Sequence, residues 1–156
     1  MRVDPRFERL FLEEYERVYR TVFVLCRDRA IAEDAVQEAF ARCLERWNRL
    51  GDRPWIGGWV TSTALNLARR SLRRRGRFEA APSSPGKDVE ASIDLWAGIG
   101  SLPRRQQEAV LLHYAADLPI AEVAALMNCQ EGTVKAHLAR ARESLRQHME
   151  GDRVDG

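Results

Sequence analysis

The sequence predicts an all-α fold of two small helical domains joined by a flexible linker. Three observations lead to this prediction. Apolar residues recur at intervals of three and four along most of the chain, no segment shows the sustained alternation of a half-buried strand, and residues 78–90 form a small, polar stretch interrupted twice by proline. The chain has 156 residues, of which 45% are hydrophobic, so there is enough apolar material for folded cores. The expected boundaries are 1–77 for the first domain, 78–90 for the linker and 91–150 for the second domain.

The first predicted domain is a bundle of three helices. The first helix opens at Asp4 and Pro5, because proline is tolerated in a first turn, and its apolar stripe comprises Phe7, Leu10, Phe11, Tyr15, Val18, Tyr19, Val22 and Cys26. The stripe of the second helix comprises Ile31, Ala32, Ala35, Val36, Ala39, Phe40, Cys43, Leu44 and Trp47. A turn bounded by Gly51 and Pro54 leads to the third helix, which ends near Gly76 and has the stripe Trp59, Val60, Thr63, Ala64, Leu67, Ala68 and Leu72.

The second predicted domain ends in a helix-turn-helix. A helix over residues 119–128 is followed by the turn CQEG and by a long helix from residue 133 to about residue 149. The small side chain of Ala124 suits the crossing of two helices, and Gly132 permits a tight turn. The hydroxyl of Thr133 is expected to cap the last helix.

The last predicted helix has the composition of a DNA-reading helix. Residues 133–142 include three basic side chains and no acidic one, and such a helix can enter a major groove roughly 12 Å wide. The outward-facing residues of its first two turns are Lys135, Ala136, His137, Ala139 and Arg140. The spacing alone also fits a helical hairpin in an ordinary bundle, and His137 also fits an incidental surface position.

The second helix carries an acidic face opposite its apolar stripe. Asp34, Gln37, Glu38 and, one turn further on, Glu45 recur at helical spacing. One interpretation is a solvated surface. The other is a protein-docking face, on which Gln37 sets the register between carboxylates that pair with basic residues of a partner.

The third helix carries a face suited to single-stranded nucleic acid. Trp59, Thr63, Asn66 and Arg70 follow one another at steps of four, three and four residues, and six arginines without any acidic residue lie within 67–77. Aromatic rings stack on unpaired bases, an amide can bind an exposed base edge, and guanidinium groups follow phosphates. The alternatives are that Trp59 belongs to the core and that the arginine run is simply solvated.

The composition excludes several classes of protein. The longest apolar run, 22–26, is too short to span a bilayer, and no apolar signal core follows the N-terminus. Three cysteines without a C-x-x-C spacing suit a reducing cytoplasm better than a disulfide framework or a zinc site. Cys26 and Cys43 lie on apolar stripes, so burial is expected rather than redox sensing. Catalytic motifs are absent and the histidines are scattered, so we expect neither an enzyme nor a metal or other cofactor.

Taken in order along the chain, these features resemble the bacterial extracytoplasmic-function (ECF, group 4) RNA polymerase sigma factors of the sigma-70 family. The resemblance covers residues 7–149 and rests on three stretches, AEDAVQEAF, WVTSTALNLARRSLRR and LPRRQQEAVLLHYAADLPIAEVAALMNCQEGTVKAHLARARESL. It implies a sigma-2-like first domain and a sigma-4-like second domain. It also implies a cytoplasmic protein that binds core RNA polymerase and promoter DNA without inserting into a membrane, with an anti-sigma factor as a further partner.

The resemblance assigns a role to each face. Asp34, Gln37 and Glu38 match positions that dock on the coiled coil of the polymerase β′ subunit. The positions that match the reading of the minus-10 element are Trp59, Thr63, Asn66, Arg69, Arg70, Arg73 and Arg74, with a flipped base near Asn66. The positions that match the reading of the minus-35 element are Thr133, Lys135, Ala136, His137, Ala139 and Arg140. The linker is expected to enter the polymerase channels alongside the β subunit, and the net charge of −3 over 78–102 suits that role.

The chain departs from the family pattern at three positions. Pro119 replaces the usual hydroxyl cap, so Asp117 is expected to cap that helix instead. His137 and Ala139 stand where an arginine and a larger residue are common, which weakens the expected minus-35 specificity.

The alternative function is an autonomous helix-turn-helix transcriptional regulator with an N-terminal dimerisation or sensor module.

Overall fold

The computed structural model describes residues 2–51, 53–75, 95 and 97–154, with side chains described up to residue 151. All regular secondary structure in this part of the chain is helical. The chain divides into two compact units, Met1–Ser83 and Ser84–Gly156. The prediction of an all-α fold with two helical domains is therefore confirmed. The predicted linker, residues 78–90, lies outside the described residues, so the domain boundaries stay predictions.

The first unit contains helices α1 (Pro5–Cys26), α2 (Arg29–Glu45), α3 (Trp47–Leu50) and α4 (Ile56–Arg74). The long helices α1, α2 and α4 pack against one another in a three-helix bundle. An aspartate side chain caps each of the first two helices: Asp4 accepts from the backbone N–H of Arg6 at 2.9 Å, and Asp28 accepts from that of Ile31 at 3.0 Å. The second predicted helix is two helices in the structure, because α2 ends at Glu45 and Trp47 begins α3.

The buried face of α4 differs from the predicted stripe. Trp59, Thr63 and Leu67 are only half-buried, whereas the side chains that fill the core are Ile56, Val60, Thr61, Ala64, Leu65 and Ala68. The Thr61 hydroxyl is buried without cost to hydrogen bonding because it donates to the carbonyl of Gly57 at 2.9 Å. The buried face of α4 is thus rotated relative to the predicted stripe, because its direction is set by packing against both α1 and α2, which apolar spacing alone does not locate.

Asp4 joins the start of α1 to α3. Its carboxylate accepts hydrogen bonds from the Arg6 side chain, from the Arg6 backbone and, at 3.0 Å, from the indole N–H of buried Trp47. The Arg6 side chain is the largest cause that holds the pKa of Asp4 well below its usual range, and the Arg6 backbone and Trp47 add to it. The ionised carboxylate is thus the form that the folded state favours.

We expect Asp4→Asn to flatten the acid dependence of stability. A lowered folded-state pKa contributes stability above the unfolded value of about 3.9 and loses it as the pH falls below that value. The variant should therefore be less stable than the parent at pH 7, with the difference shrinking between about pH 4 and pH 2. Thermal unfolding across this range measures it, with Glu13→Gln as a control for the loss of one surface carboxylate. A difference that does not change with pH would contradict the prediction.

The second unit contains α5 (Arg104–Val110), a π-helical turn (Leu111–Ala115), α6 (Ile120–Met127) and α7 (Glu131–Val154), preceded by a helical stretch over 97–101. α7 packs on both α5 and α6. The core of the described part comprises Ile99, Leu102, Ala109, Val110, Leu111, Leu112, Ala116, Leu118, Val123, Ala124, Met127, Val134, Leu138 and Ala141. Arg105 donates to the carbonyl of Met127 at 2.6 Å, and thereby satisfies the C-terminal end of α6.

The turn of the helix-turn-helix is shorter than predicted. α7 begins at Glu131, so Thr133 lies inside the first turn and does not cap the helix. Gly132 is helical too, and the left-handed residue that reverses the chain is Asn128, with φ 55°. An acidic first-turn residue such as Glu131 suits the positive end of the helix dipole, which explains the earlier start. α7 also continues to Val154, beyond the predicted end near residue 149.

The start of α6 also corrects a prediction. Pro119 occupies the N-cap position and makes no side-chain hydrogen bond. Asp117, the expected cap, instead adopts the left-handed backbone with φ 57°. The prediction that Asp117 caps α6 is therefore wrong, because this residue forms the bend between the π-helical turn and α6.

Candidate functional site

The acidic face of α2, formed by Asp34, Gln37, Glu38 and Glu45, is exposed as predicted. The opposite side of the helix is buried, so this face is fixed in direction by the core of the bundle. Glu38 accepts from Arg42 at 3.0 Å, which partly neutralises its charge. Within the described part of the first unit, no ion pair engages Asp34.

An apolar residue of the same face was missed. Leu44, which was assigned to the buried stripe, is 38% exposed and follows Gln37 by two turns. The acidic face therefore includes an apolar contact as well as carboxylates. The signal in the sequence was its place at the edge of the stripe, where the spacing does not decide between core and surface.

The face of α4 holds Trp59, Thr63, Asn66 and Arg70 together, as predicted. Asn66 and Arg70 are exposed, whereas Trp59 and Thr63 are half-buried. The guanidinium of Arg46 lies 5.9 Å from the centre of the Trp59 ring, in a cation–π contact that fixes one side of the indole. Trp59 thus belongs to the edge of the core, with part of its ring at the surface. Arg46, which precedes α3, was not predicted to belong to this face.

The arginine row is exposed at Arg70, Arg73 and Arg74 but not at Arg69. Arg69 is only 8% exposed, directly after the fully buried Ala68, so it does not share the surface of the others. Arg75 is exposed and lies 3.5 Å from Asp28, the residue that caps α2. The surface available to a nucleic-acid backbone is therefore narrower than the sequence predicted.

The first two turns of α7 present the predicted surface. Thr133, Lys135, Ala136, Ala139 and Arg140 are exposed, and Val134, Leu138 and Ala141 are buried. His137 is half-buried and lies about 100° around the helix from Ala136. Its Nδ1 has no hydrogen-bond partner in the described part of the chain. His137 therefore lies at the margin of this surface.

Neither a metal site nor a membrane span is found in the described residues. They contain no group of three or more His, Cys, Asp or Glu side chains placed to hold a metal ion. None of the helices described here is both long and apolar enough to cross a bilayer. Burial raises the pKa of the Cys43 thiol to about 11 and also raises that of Cys26, so both thiols favour the unreactive, protonated form.

Comparison with protein families identifies both units. The family model "Sigma-70 region 2" matches residues 10–78, and "Sigma-70, region 4" matches residues 92–145. The chain belongs to the sigma-70 family. The acidic face and the face of α4 lie within the region 2 match, and the exposed start of α7 lies within the region 4 match. This combination does not favour the alternative of an autonomous regulator with a sensor module.

Curated relatives place this sigma factor in the extracytoplasmic-function group. It is 29% identical to the ECF RNA polymerase sigma factor SigE of Mycolicibacterium smegmatis over 160 residues. This alignment covers 93% of the chain and 62% of SigE. It is also 27% identical to the ECF RNA polymerase sigma factor SigM of Bacillus subtilis over 140 residues. That alignment covers 83% of the chain and 86% of SigM. The chain thus spans less than two thirds of the length of the first relative.

Solved structures share the fold. The sigma factor RpoE from Bartonella quintana, solved in complex with the anti-sigma factor NepR, superimposes with a TM-score of 0.74 at 22% identity, covering 92% of this chain and 96% of that one. CnrH, solved in complex with the cytosolic domain of CnrY, gives a TM-score of 0.76 at 19% identity, covering 94% of this chain and 88% of that one. These similarities confirm the two-domain helical architecture of the sigma factor.

Proposed function

We propose that this sigma factor directs promoter-specific initiation by docking on the β′ coiled coil of core RNA polymerase through the acidic face of α2. The observation that carries the proposal is the exposure of Asp34 and Gln37 on a helix whose other side is buried. No ion pair engages Asp34 within the described residues, so its carboxylate can pair with a basic residue of polymerase without breaking one. Exposed Leu44 adds an apolar contact beside the charges.

We propose that α4 captures an unpaired base of the minus-10 element. Exposed Asn66 offers an amide to a base edge, the surface of Trp59 offers a ring for stacking, and Arg70 lies one turn further along the same face. Stacking contributes about 1–3 kcal/mol per base, which is comparable to the few kcal/mol needed to extract one base from a duplex. One such pocket can therefore trap a base that polymerase helps to unpair. Arg73 and Arg74, which are exposed, supply phosphate contacts, whereas Arg69 is only 8% exposed and is not part of this surface.

We propose that α7 enters the major groove of the minus-35 element. Lys135 and Arg140 are the long exposed side chains of its first turns, and Thr133, Ala136 and Ala139 allow close approach to the DNA. Each good bidentate base contact contributes about 1–3 kcal/mol of discrimination. Because two of the exposed positions are alanine, backbone contacts and DNA shape carry a larger share of recognition.

Two substitutions are expected to separate the proposed functions. Gln37→Ala should weaken binding to core polymerase several-fold and leave duplex binding unchanged, whereas Arg140→Ala should weaken duplex binding and leave polymerase binding intact. Pull-down with core polymerase measures the loss of polymerase binding in Gln37→Ala. Transcription from a promoter selected by the wild-type complex should fall in both variants. A folded chain that neither binds core polymerase nor supports promoter-dependent transcription would refute the proposed function.

We also expect other contacts in the initiation complex. The linker is expected to lie beside the polymerase β subunit, and the site of action is the cytoplasm, where polymerase and promoter DNA are found. The complex of the Bartonella quintana sigma factor with the anti-sigma factor NepR supports an anti-sigma partner for this chain too. Co-purification from the native cell tests these partners.

A further inference from the structure

A tyrosine in the π-helical turn is joined to an arginine of α7. The Nη1 group of Arg142 donates to the hydroxyl of Tyr114 at 2.7 Å, across 28 residues of sequence. Both side chains are exposed, and Tyr114 is 53% exposed although its ring is large and apolar. Tyr114 belongs to none of the faces described above, and Arg142 follows the first two turns of α7.

The π-helical turn holds the Tyr114 ring in place. Nδ1 of His113 lies 2.8 Å from the carbonyl of Leu118, and because a carbonyl only accepts, Nδ1 carries the proton. The His113 ring packs edge-on against the Tyr114 ring, with 4.8 Å between their centres. The tyrosine is thus fixed by its neighbour in the turn and by Arg142. Turns of this kind occur frequently at functional sites.

The charge of Arg142 is available, in contrast to that of a nearby arginine. Arg146, one turn further along α7, lies 2.6 Å from Glu143 and 3.0 Å from Glu150. Within the described part of the second unit, no carboxylate pairs with Arg142, which donates instead to the neutral Tyr114 hydroxyl. The two arginines share a helix but differ in whether their charge is already compensated.

The position of Arg142 suits the edge of a groove. It follows Lys135 by seven residues, so both lie on one flank of α7, about 10.5 Å apart along the helix axis. Ala136 lies about 120° and Arg140 about 160° around the helix from Arg142, so Arg142 and Arg140 border the exposed surface of α7 on different sides. A helix in a major groove contacts base edges with one face and backbone phosphates with its flanks.

We propose that Tyr114 and Arg142 form a phosphate clamp that binds one backbone phosphate of duplex DNA beside the groove that α7 occupies. This inference rests on the proposed duplex binding by the second unit. The Tyr114 oxygen accepts from Arg142, which leaves its own O–H to donate to a phosphate oxygen. The remaining N–H groups of Arg142 donate to the same phosphate. The clamp carries no base specificity, and it fixes the register of α7 on the DNA.

Salt-dependent binding to a duplex tests the clamp. The probe is a fluorescently labelled, random-sequence 20-base-pair duplex, titrated with the full chain at salt concentrations from about 50 to 200 mM. We expect Arg142→Ala to weaken binding several-fold on every sequence and to reduce the slope of log affinity against log salt by about 1. Arg146→Ala is the matched control and should leave the slope unchanged, because its charge is already paired.

Tyr114→Phe separates binding from folding. It removes only an exposed hydroxyl, so we expect an unchanged melting temperature together with a several-fold weaker affinity for all duplexes. A lower melting temperature with unchanged affinity would show a purely structural tether and overturn the clamp. Equal slopes for Arg142→Ala and the parent, or equal changes for Arg142→Ala and Arg146→Ala, would overturn it as well.

Polymerase binding distinguishes failure of the clamp from failure of the proposed function. It is measured separately, and none of these variants changes the first unit. If the parent chain binds core polymerase and duplex DNA, but Arg142→Ala leaves the slope of log affinity against log salt unchanged, only the clamp is refuted. If the parent chain binds neither core polymerase nor duplex DNA, the proposed function is refuted together with the clamp.

Discussion

Asp34→Lys is expected to reduce the affinity for core RNA polymerase by about 10- to 100-fold. The substitution places a positive charge where we propose that a carboxylate meets a basic surface, and like charges at an interface cost several kcal/mol. Each 1.4 kcal/mol corresponds to a factor of about ten in affinity. Competition binding to core polymerase against a labelled parent protein measures the loss.

The fold should tolerate this substitution. Asp34 is exposed in the interior of α2, where lysine has the better helix propensity, so the melting temperature should change little. Glu13→Lys, which makes the same charge change at an exposed position of α1, is the matched control and should retain polymerase binding. If both variants lose affinity equally, net charge rather than the acidic face governs the association. If neither does, the docking assignment is wrong.

Asn66→Ala is expected to lower promoter-specific transcription by about tenfold or more. The exposed amide is proposed to bind the edge of a flipped base, and a good contact of this kind contributes about 1–3 kcal/mol. Its loss should also reduce discrimination at one position of the minus-10 element. Transcription from a promoter selected out of a random library by the wild-type complex gives both quantities.

A premelted template separates base capture from other defects. On DNA with a preformed bubble at the minus-10 element, Asn66→Ala should recover most of its activity, because capture is no longer needed to hold the strands apart. Asn48→Ala, which removes an exposed amide from α3, is the control and should behave as the parent on both templates. A defect of equal size on both templates would place the role of Asn66 elsewhere.

Much of the fold follows from local sequence signals. The capping aspartates Asp4 and Asp28 precede α1 and α2, and the buried residues of both helices mostly fall on the predicted stripes, although half of the α1 stripe is only partly buried or exposed. The exceptions include Leu44, which lies at the margin of its stripe, and Phe11, which is 37% exposed although its ring packs against that of Phe40. Periodicity identifies the centre of a buried face well, but its width depends on how many helices pack there.

The candidate surfaces were predictable where short-range chemistry sets them. The exposure of Asp34, Asn66 and Arg140 follows from their positions opposite or beside apolar stripes. The burial of Arg69 does not follow, because an arginine beside the core can bury its stem when the neighbouring helices leave space for it. Nor does the early start of α7, since Glu131 and Gly132 fit a turn and a helix about equally well by spacing alone.

The sequence by itself determined the helical class, the order of the helices and the exposed faces of α2, α4 and α7, because capping and periodicity act over a few residues. Tertiary structure decided the rest. The side of α4 that is buried depends on its packing against α1 and α2 together, and the pair formed by Tyr114 and Arg142 depends on a π-helical turn lying beside α7. Contacts between residues distant in the chain require the positions of whole helices, which local spacing does not specify.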